Sequence, residues 1–193
     1  MATEDISYAF KPKMFGAPHF FQLSSDGMDW TVGPRSGRIS YPMIRHIRLG
    51  YKPTNVGSAR FIAEIWSQNE PKISISSVSS RSMLDTEDLG KDYAAFLREL
   101  HRRVALSKAN CVFEAGMPAW RWWPASIFGV LAFLAVGYVV VRGLMTGQYL
   151  VAGAITLLGV WFLWQIVNLI TRNRPRIYSP DHIPANVLPA SGR

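Results

Sequence analysis

The run Trp120-Arg121-Trp122-Trp123-Pro124, followed by ASIFGVLAFLAVGYVVV over Ala125–Val141, decides how this chain is read. Three tryptophans surround one arginine, and the 17 residues after Pro124 contain no Asp, Glu, Lys, Arg or His. A soluble core accepts the indoles but not Arg121 among them. The rim of a bilayer takes both: rings settle at the acyl boundary, indole N–H groups reach the headgroups, and the guanidinium meets phosphate. Pro124 is expected in the first turn of the helix, where its missing N–H would be unpaired anyway. A helix continuing past Arg142 to Met145 makes a span of residues 125–145.

A second run, Tyr149–Thr171, has 23 uncharged residues. A hydrocarbon core of about 30 Å needs roughly 20 helical residues, so both runs are long enough to cross. The connection RGLMTGQ, Arg142–Gln148, is short and holds Gly143 and Gly147, which suits a tight turn with its tip at residues 146–148. The two spans, 125–145 and 149–171, are expected to form a helical hairpin with both chain ends on one side. Lys108 and Arg121 precede the first span, and Arg172, Arg174 and Arg176 follow the second, whereas the turn carries only Arg142. By the positive-inside rule the ends are cytoplasmic and the turn is outside. Trp120, Arg121, Trp122, Trp123, Tyr149, Trp164, Arg172, Arg174 and Arg176 are the expected interface anchors.

Within the spans, Gln165 and Asn168 share one face near the inner end. Either they make polar contacts to the first span, another protein or a second copy, or they approach the headgroups. Gly129, Ala132 and Val136 on the first span, and Ala152, Thr156 and Gly159 on the second, form small faces suited to packing the hairpin on itself. Neither span carries Asp, Glu or His, which argues against an ion path through this pair alone.

Charge agrees with this division. Of the net +8, five belong to the part from Ala119 onward, which has six basic residues and one acid, Asp181. Basic charge flanking apolar runs is the pattern of a membrane protein rather than a nucleic-acid binder. The single cysteine, Cys111, permits no intramolecular disulfide and no Cys-based zinc site. The opening MATEDISYAFKPK has early acids and no apolar core, so it does not read as a secretory signal.

Ahead of the spans lies a mixed-charge region of α+β pattern. Phe21 and Leu23, then Met28, Trp30 and Val32, alternate with polar residues, with turns at Ser25–Gly27 and Gly33–Gly37. Ile39 and Tyr41 begin a third run. IRHIRLGYK (Ile44–Lys52) puts Ile47, Leu49 and Tyr51 on one face, with a break in alternation near Arg45 that suggests a bulge. PTNVGS (Pro53–Ser58) reads as a loop. RFIAEIW and KISIS flank QNEP as a hairpin, and SISSVSSRS (Ser74–Ser82) reads as a polar edge strand entering a loop. In DYAAFLRELHRRVAL, residues Tyr93, Phe96, Leu97, Leu100 and Val104 recur at helical spacing. Arg98, Glu99, Arg102 and Arg103 fall on the opposite face, and His101 lies beside two arginines.

The residues GRISYPMIRHIRL, RFIAEIW, KISISS and DYAAFLRELHRRVA together resemble a pleckstrin-homology-like (PH-like) domain, with antiparallel strands and a C-terminal capping helix. With the hairpin and the tail NRPRIYSPDHIPANVLP, the chain is similar to uncharacterised bacterial inner-membrane proteins. That resemblance implies a multi-pass protein of the bacterial inner membrane with both termini cytoplasmic, and it implies no activity. The expected organisation is an arm at 1–18, a PH-like α+β domain at 19–107, a linker with the interfacial Trp/Arg segment at 108–124, the two spans with their turn at 146–148, and a Pro-rich extended cytoplasmic tail at 172–193. The apolar residues Ile177, Tyr178, Ile183, Val187 and Leu188 in that tail imply that it lies on something, most simply the domain. Residues Met1–Gly116 are expected to fold alone.

No phosphate loop, HExxH, nucleophile elbow or carboxylate-rich metal signature occurs, and His19, His46, His101 and His182 are scattered. No catalytic, cofactor or metal residues are assigned, and an enzyme is not expected. Arg45, Arg48, Lys52, Arg98 and Arg102 are candidate lipid-headgroup contacts, or else a solvated basic face. The expected function is a membrane-anchored interaction or assembly protein, a scaffold or accessory subunit. Its partners would be membrane lipids and a protein or membrane complex, homo-oligomers included, and not nucleic acid. The alternative is an anionic-lipid-sensing module tethered by its hairpin.

Overall fold

A computed structural model describes residues 6–12, 16–53, 59–80 and 86–189. The chain divides into two units, residues 1–116 with 176–193, and residues 117–175.

Two-residue alternation builds the first sheet. Strands β1 (Ile6–Phe10), β2 (His19–Leu23), β3 (Gly27–Val32) and β4 (Arg35–Ser40) pair antiparallel in chain order. Tyr8, Phe10, Phe21, Leu23, Met28, Trp30 and Ile39 are buried, while Phe20, on the other face of β2, is exposed. The β3–β4 turn uses Gly33 at φ +61, a conformation that costs glycine little. The segment expected as an arm, 1–18, thus contains a core strand. Its ISYAF run is too short to register as alternation until β2 pairs with it.

The second sheet begins with β5 (Ile44–Pro53), β6 (Ala59–Ser67) and β7 (Ile73–Ser76), again an antiparallel meander. The register of β5 on β6 shifts between Ile44 and His46, where the sequence breaks alternation. This bulge keeps Ile44, Ile47, Leu49 and Tyr51 all inward. Most of the loop read at 53–58 lies outside the described residues, as do Arg81 and Ser82. The polar stretch after β7 is not one edge strand. It turns at Ser77 into β8 (Val78–Ser80), which pairs with β9 (Thr86–Asp88). Ser76 and Ser77 are buried there, with Ser77 Oγ accepting the Phe61 N–H at 3.0 Å and Tyr8 O–H donating to the Ser76 carbonyl at 2.6 Å.

Helix α1 (Gly90–Leu106) follows, with the Asp88 carboxylate accepting the Gly90 N–H at 2.9 Å. Tyr93, Phe96, Leu97, Leu100 and Val104 are buried in the one core shared by both sheets. Arg103 differs from its expected place on the solvent face. It is buried, donating to Glu99 at 2.6 Å and to the Ser24 carbonyl at 2.6 Å, which ties α1 to the β2–β3 turn. Hydrogen bonds from Arg102 and Arg103, outweighing some burial, hold Glu99 down to about 2.

The segment expected as a linker, 108–124, contains β10 (Val112–Ala115), which joins the second sheet parallel to β5. The chain then leaves for the second unit and returns at β11 (Arg176–Ile177), antiparallel to β10, with Ala115 opposite Arg176. The sheet order is β11-β10-β5-β6-β7. Beyond β11 the tail stays on this unit: Val187 is fully buried and Leu188 nearly so, with a short 3-10 turn at Ala185–Val187. A fragment ending at Gly116 therefore lacks part of its own core, contrary to the expectation that Met1–Gly116 suffices.

The second unit is two long apolar helices, α2 (Ala119–Met145) and α3 (Tyr149–Arg172), each long and apolar enough to cross a membrane. α2 begins before Trp120, so Pro124 sits inside it at the sixth position rather than in the first turn. Gly147, at φ +73, makes the tip. Gly143 belongs to α2 instead, where an added Cβ would stand 3.1 Å from the Ala152 Cβ. A Cβ on Gly159 would meet Val136 at 2.6 Å, and one on Gly129 would meet Ile166 at 3.1 Å. The small residues thus bring the two helices together.

Candidate functional site

The hairpin sorts its aromatic residues by where they point. Trp120, Trp123, Tyr149 and Trp164 are widely exposed. Arg121 lies over the Trp120 ring, 4.9 Å from its centroid. Trp122 differs from the expected anchor: its indole N–H donates to the Ile170 carbonyl at 3.0 Å and so staples α2 to α3. The Met117 N–H adds a second tie, to the Asn173 carbonyl at 2.9 Å. An apolar groove of about 380 Å³ opens between the helices beside Trp122, lined also by Gly129, Phe133, Leu163 and Ile166. Arg172 and Arg174 are exposed at the end of α3, and Arg176 is exposed in β11.

Gln165 and Asn168, grouped by sequence, part company. Asn168 Oδ1 accepts from Arg172 Nε at 2.9 Å, one helical turn away, whereas Gln165 is exposed.

In the N-terminal unit the basic candidates fall into two places. On the outer face of the second sheet, Arg48 donates to Glu114 at 2.6 Å and lies 5.3 Å from the centre of the Trp66 ring. His46 stacks on the same ring at 4.7 Å, and Lys72 approaches it at 5.6 Å while pairing with Glu64. Arg48 is therefore engaged rather than offered to a headgroup. Burial raises the Glu114 carboxyl, and the hydrogen bond from Arg48, the largest opposing effect, helps to hold it below the usual carboxylate range. Arg45 and Lys52 remain exposed. With the Gln68 amide turned to its better orientation, its oxygen accepts from Arg45 Nε at 3.1 Å.

The other place is a groove over α1. The tail runs antiparallel along the helix, from Tyr178 at His101 to Pro189 at Gly90. Eleven residues of helix rise only about 16 Å, while eleven extended residues reach about 36 Å. The surplus is taken up by a turn, where the His182 N–H reaches the Ser179 carbonyl, and by the Ala185–Val187 turn. The strap bows away from α1 and leaves a groove of about 600 Å³, lined by Arg98, Arg102, Asp181, His182, Ile183 and Leu188 among others. Arg102 is held by Glu99, at 2.7 Å through Nε. Arg98 is exposed and has no ion-pair partner among the described residues.

His101, read in the sequence only as lying beside two arginines, is fully buried and anchors the strap. Its Nδ1 lies 2.7 Å from the Leu97 carbonyl, so that nitrogen carries the proton, and Nε2 accepts from the Tyr178 hydroxyl at 2.8 Å. Burial beneath the strap, not the neighbouring arginines, lowers its pKa to about 4. Burial likewise raises the Tyr178 hydroxyl well above its ordinary value and pushes the Cys111 thiol up to about 11, which leaves it a poor nucleophile. Sequence reasoning missed Trp66, Glu114 and the His101–Tyr178 pair. The only available signal was the excess of apolar residues in the tail.

Comparison with family models, curated proteins and solved structures finds no match to this chain.

Proposed function

We propose that this chain is a membrane-anchored, non-enzymatic interaction or assembly protein, with a PH-like domain presented at the inner leaflet of a bacterial cytoplasmic membrane. The observation that carries the reading is the Ala115–Arg176 pair. The chain departs into α2 and returns from α3 through neighbouring, hydrogen-bonded strands. Two membrane crossings that start and finish side by side put both chain ends on one face, and the arginine distribution favours the cytoplasmic face. The PH-like reading is supported by the order of parts: a four-strand meander, a three-strand meander, the short β8–β9 pair, then one helix against the core. Strands β10 and β11 are additions that tie such a domain to the hairpin. The α1 groove is the surface best suited to a partner, because the exposed Arg98, without an ion-pair partner among the described residues, lines it together with the apolar Ile183 and Leu188.

The test is capture of partners by the full chain from mild-detergent extracts, with Arg98→Glu alongside. A stoichiometric protein retained by the parent and lost by Arg98→Glu supports the reading. No stoichiometric partner, or one indifferent to Arg98, contradicts it. The second reading, a sensor of anionic lipid, draws on the exposure of Arg45, Lys52 and Arg98. It requires the N-terminal unit to bind phosphatidylglycerol vesicles in a salt-sensitive way and to ignore phosphatidylcholine ones.

A further inference from the structure

The outward face of α3 carries polar groups that nothing in the hairpin satisfies. Residues advance about 100° each around a helix. Ala152 and Gly159 are buried, and Leu163 and Ile170 line the groove beside α2, which fixes the face turned toward that helix. Gln165 follows Thr156, on that same face, by nine residues and so points half a turn away. Its amide is exposed and hydrogen-bonds to none of the described residues. One turn earlier, Trp161 is 60% exposed, with its indole N–H equally unpartnered among the described residues. Gln165 lies seven residues from Arg172, about 10 Å of rise, and some 24 Å from Tyr149. The rise to Arg172 is longer than a glutamine side chain. In hydrocarbon such an amide seeks a partner.

We propose that this face of α3, along Ala154, Leu158, Trp161 and Gln165, is a two-fold interface with a second copy of the chain. The Gln165 amides hydrogen-bond to one another, and the Trp161 rings pack beside them. A second copy is favoured by the chemistry of the amide itself. It carries donor and acceptor together, so two related by a two-fold axis satisfy each other with no further polar residue. Ala154 on the same line allows close approach of the helices. Asn168 takes no part, since Arg172 already holds it. The inference rests on α2 and α3 lying in a bilayer, and the experiment separates the two.

The full chain carrying Cys111→Ser is reconstituted in vesicles of phosphatidylethanolamine and phosphatidylglycerol with single cysteines. Ala154→Cys and Leu158→Cys should cross-link into dimers on oxidation, and Thr156→Cys and Leu163→Cys should not. Energy transfer between labelled copies diluted in lipid should show Gln165→Leu weakening the dimer roughly five- to thirtyfold, with Gln165→Asn retaining most of it. Cross-linking absent, or equal on both faces, overturns the proposal. So does a Gln165→Leu dimer as tight as the parent, or cross-linking of Leu158→Cys in native membranes to a different protein alone. Labelling of Leu158→Cys by a water-borne maleimide would mean that α3 is not in the bilayer, which removes the membrane reading as well. Protection of Leu158→Cys without any dimer removes the pairing alone.

Discussion

Replacing Val187 by alanine tests whether the tail is part of the core. Val187 is fully buried although it lies 71 residues beyond Gly116 in sequence. The change removes two methylene equivalents at about 0.8 kcal/mol each, and incomplete collapse of the cavity brings the loss to about 2 kcal/mol. The pairing of Ala115 with Arg176 offers a clean background. Joining Ala115 to Arg176 through Asn-Gly, a two-residue hairpin turn, deletes the hairpin and keeps β10, β11 and the tail. Only Trp30 and Trp66 then remain as tryptophans, which simplifies the fluorescence signal. For a unit of this size, 1 kcal/mol shifts the melting temperature by roughly 4 °C, so Val187→Ala should lower it by roughly 8 °C. Ile177→Ala, at a tail position 78% exposed, should move it by less than about 2 °C. Equal shifts for the two, or none for Val187→Ala, would refute the argument that the strap completes the core.

Three other perturbations follow from the same packing. Leu100→Asp puts a carboxylate at a fully buried position on α1, at a cost of more than about 4 kcal/mol, and should abolish the cooperative melt. His101 titrates at about 4 folded and near 6.5 unfolded, so between those values the unfolded state holds the extra proton. Its contribution is intact above pH 6.5 and declines as pH falls, by about 3 kcal/mol at pH 4. Denaturation followed from pH 7 to pH 4 should show this slope, and His101→Gln should flatten it. Gly159→Leu drives a side chain into Val136, already 2.6 Å from where a Cβ would stand, and should separate α2 from α3. A cross-link between cysteines at Gly129 and Ile166, neighbours across the two helices, should weaken at least severalfold against the parent.

What could be read from the sequence was local. The α1 pattern needs only 3.6-residue spacing, and the two apolar runs announce themselves by length and missing charge. The Arg45 bulge was visible as a slip in alternation. The rest depended on pairings that no window spans. β10 has four residues and β11 two, and each becomes a strand only because β5 already presents an edge. Nothing local marks His101 as buried, and Arg103 reads as solvent-facing from its charge and position. Their partners, Tyr178 and the Ser24 carbonyl, lie 77 and 79 positions away. Trp122 reads like its two neighbours until α3 returns and offers the Ile170 carbonyl. Arg48 and Arg102 kept their basic character in the sequence and lost their availability to Glu114 and Glu99 in the fold.

The most direct test of the account is the sidedness of the hairpin. In a Cys111→Ser background, single cysteines go to Thr146, exposed at the tip, and to Ser179, exposed in the tail. A membrane-impermeant thiol reagent applied to intact cells should label Thr146→Cys and spare Ser179→Cys until the membrane is opened. Labelling of Ser179→Cys alone would invert the protein and move the folded unit outside, and labelling of both would leave only one helix crossing. Either result would contradict an interaction domain held at the inner leaflet.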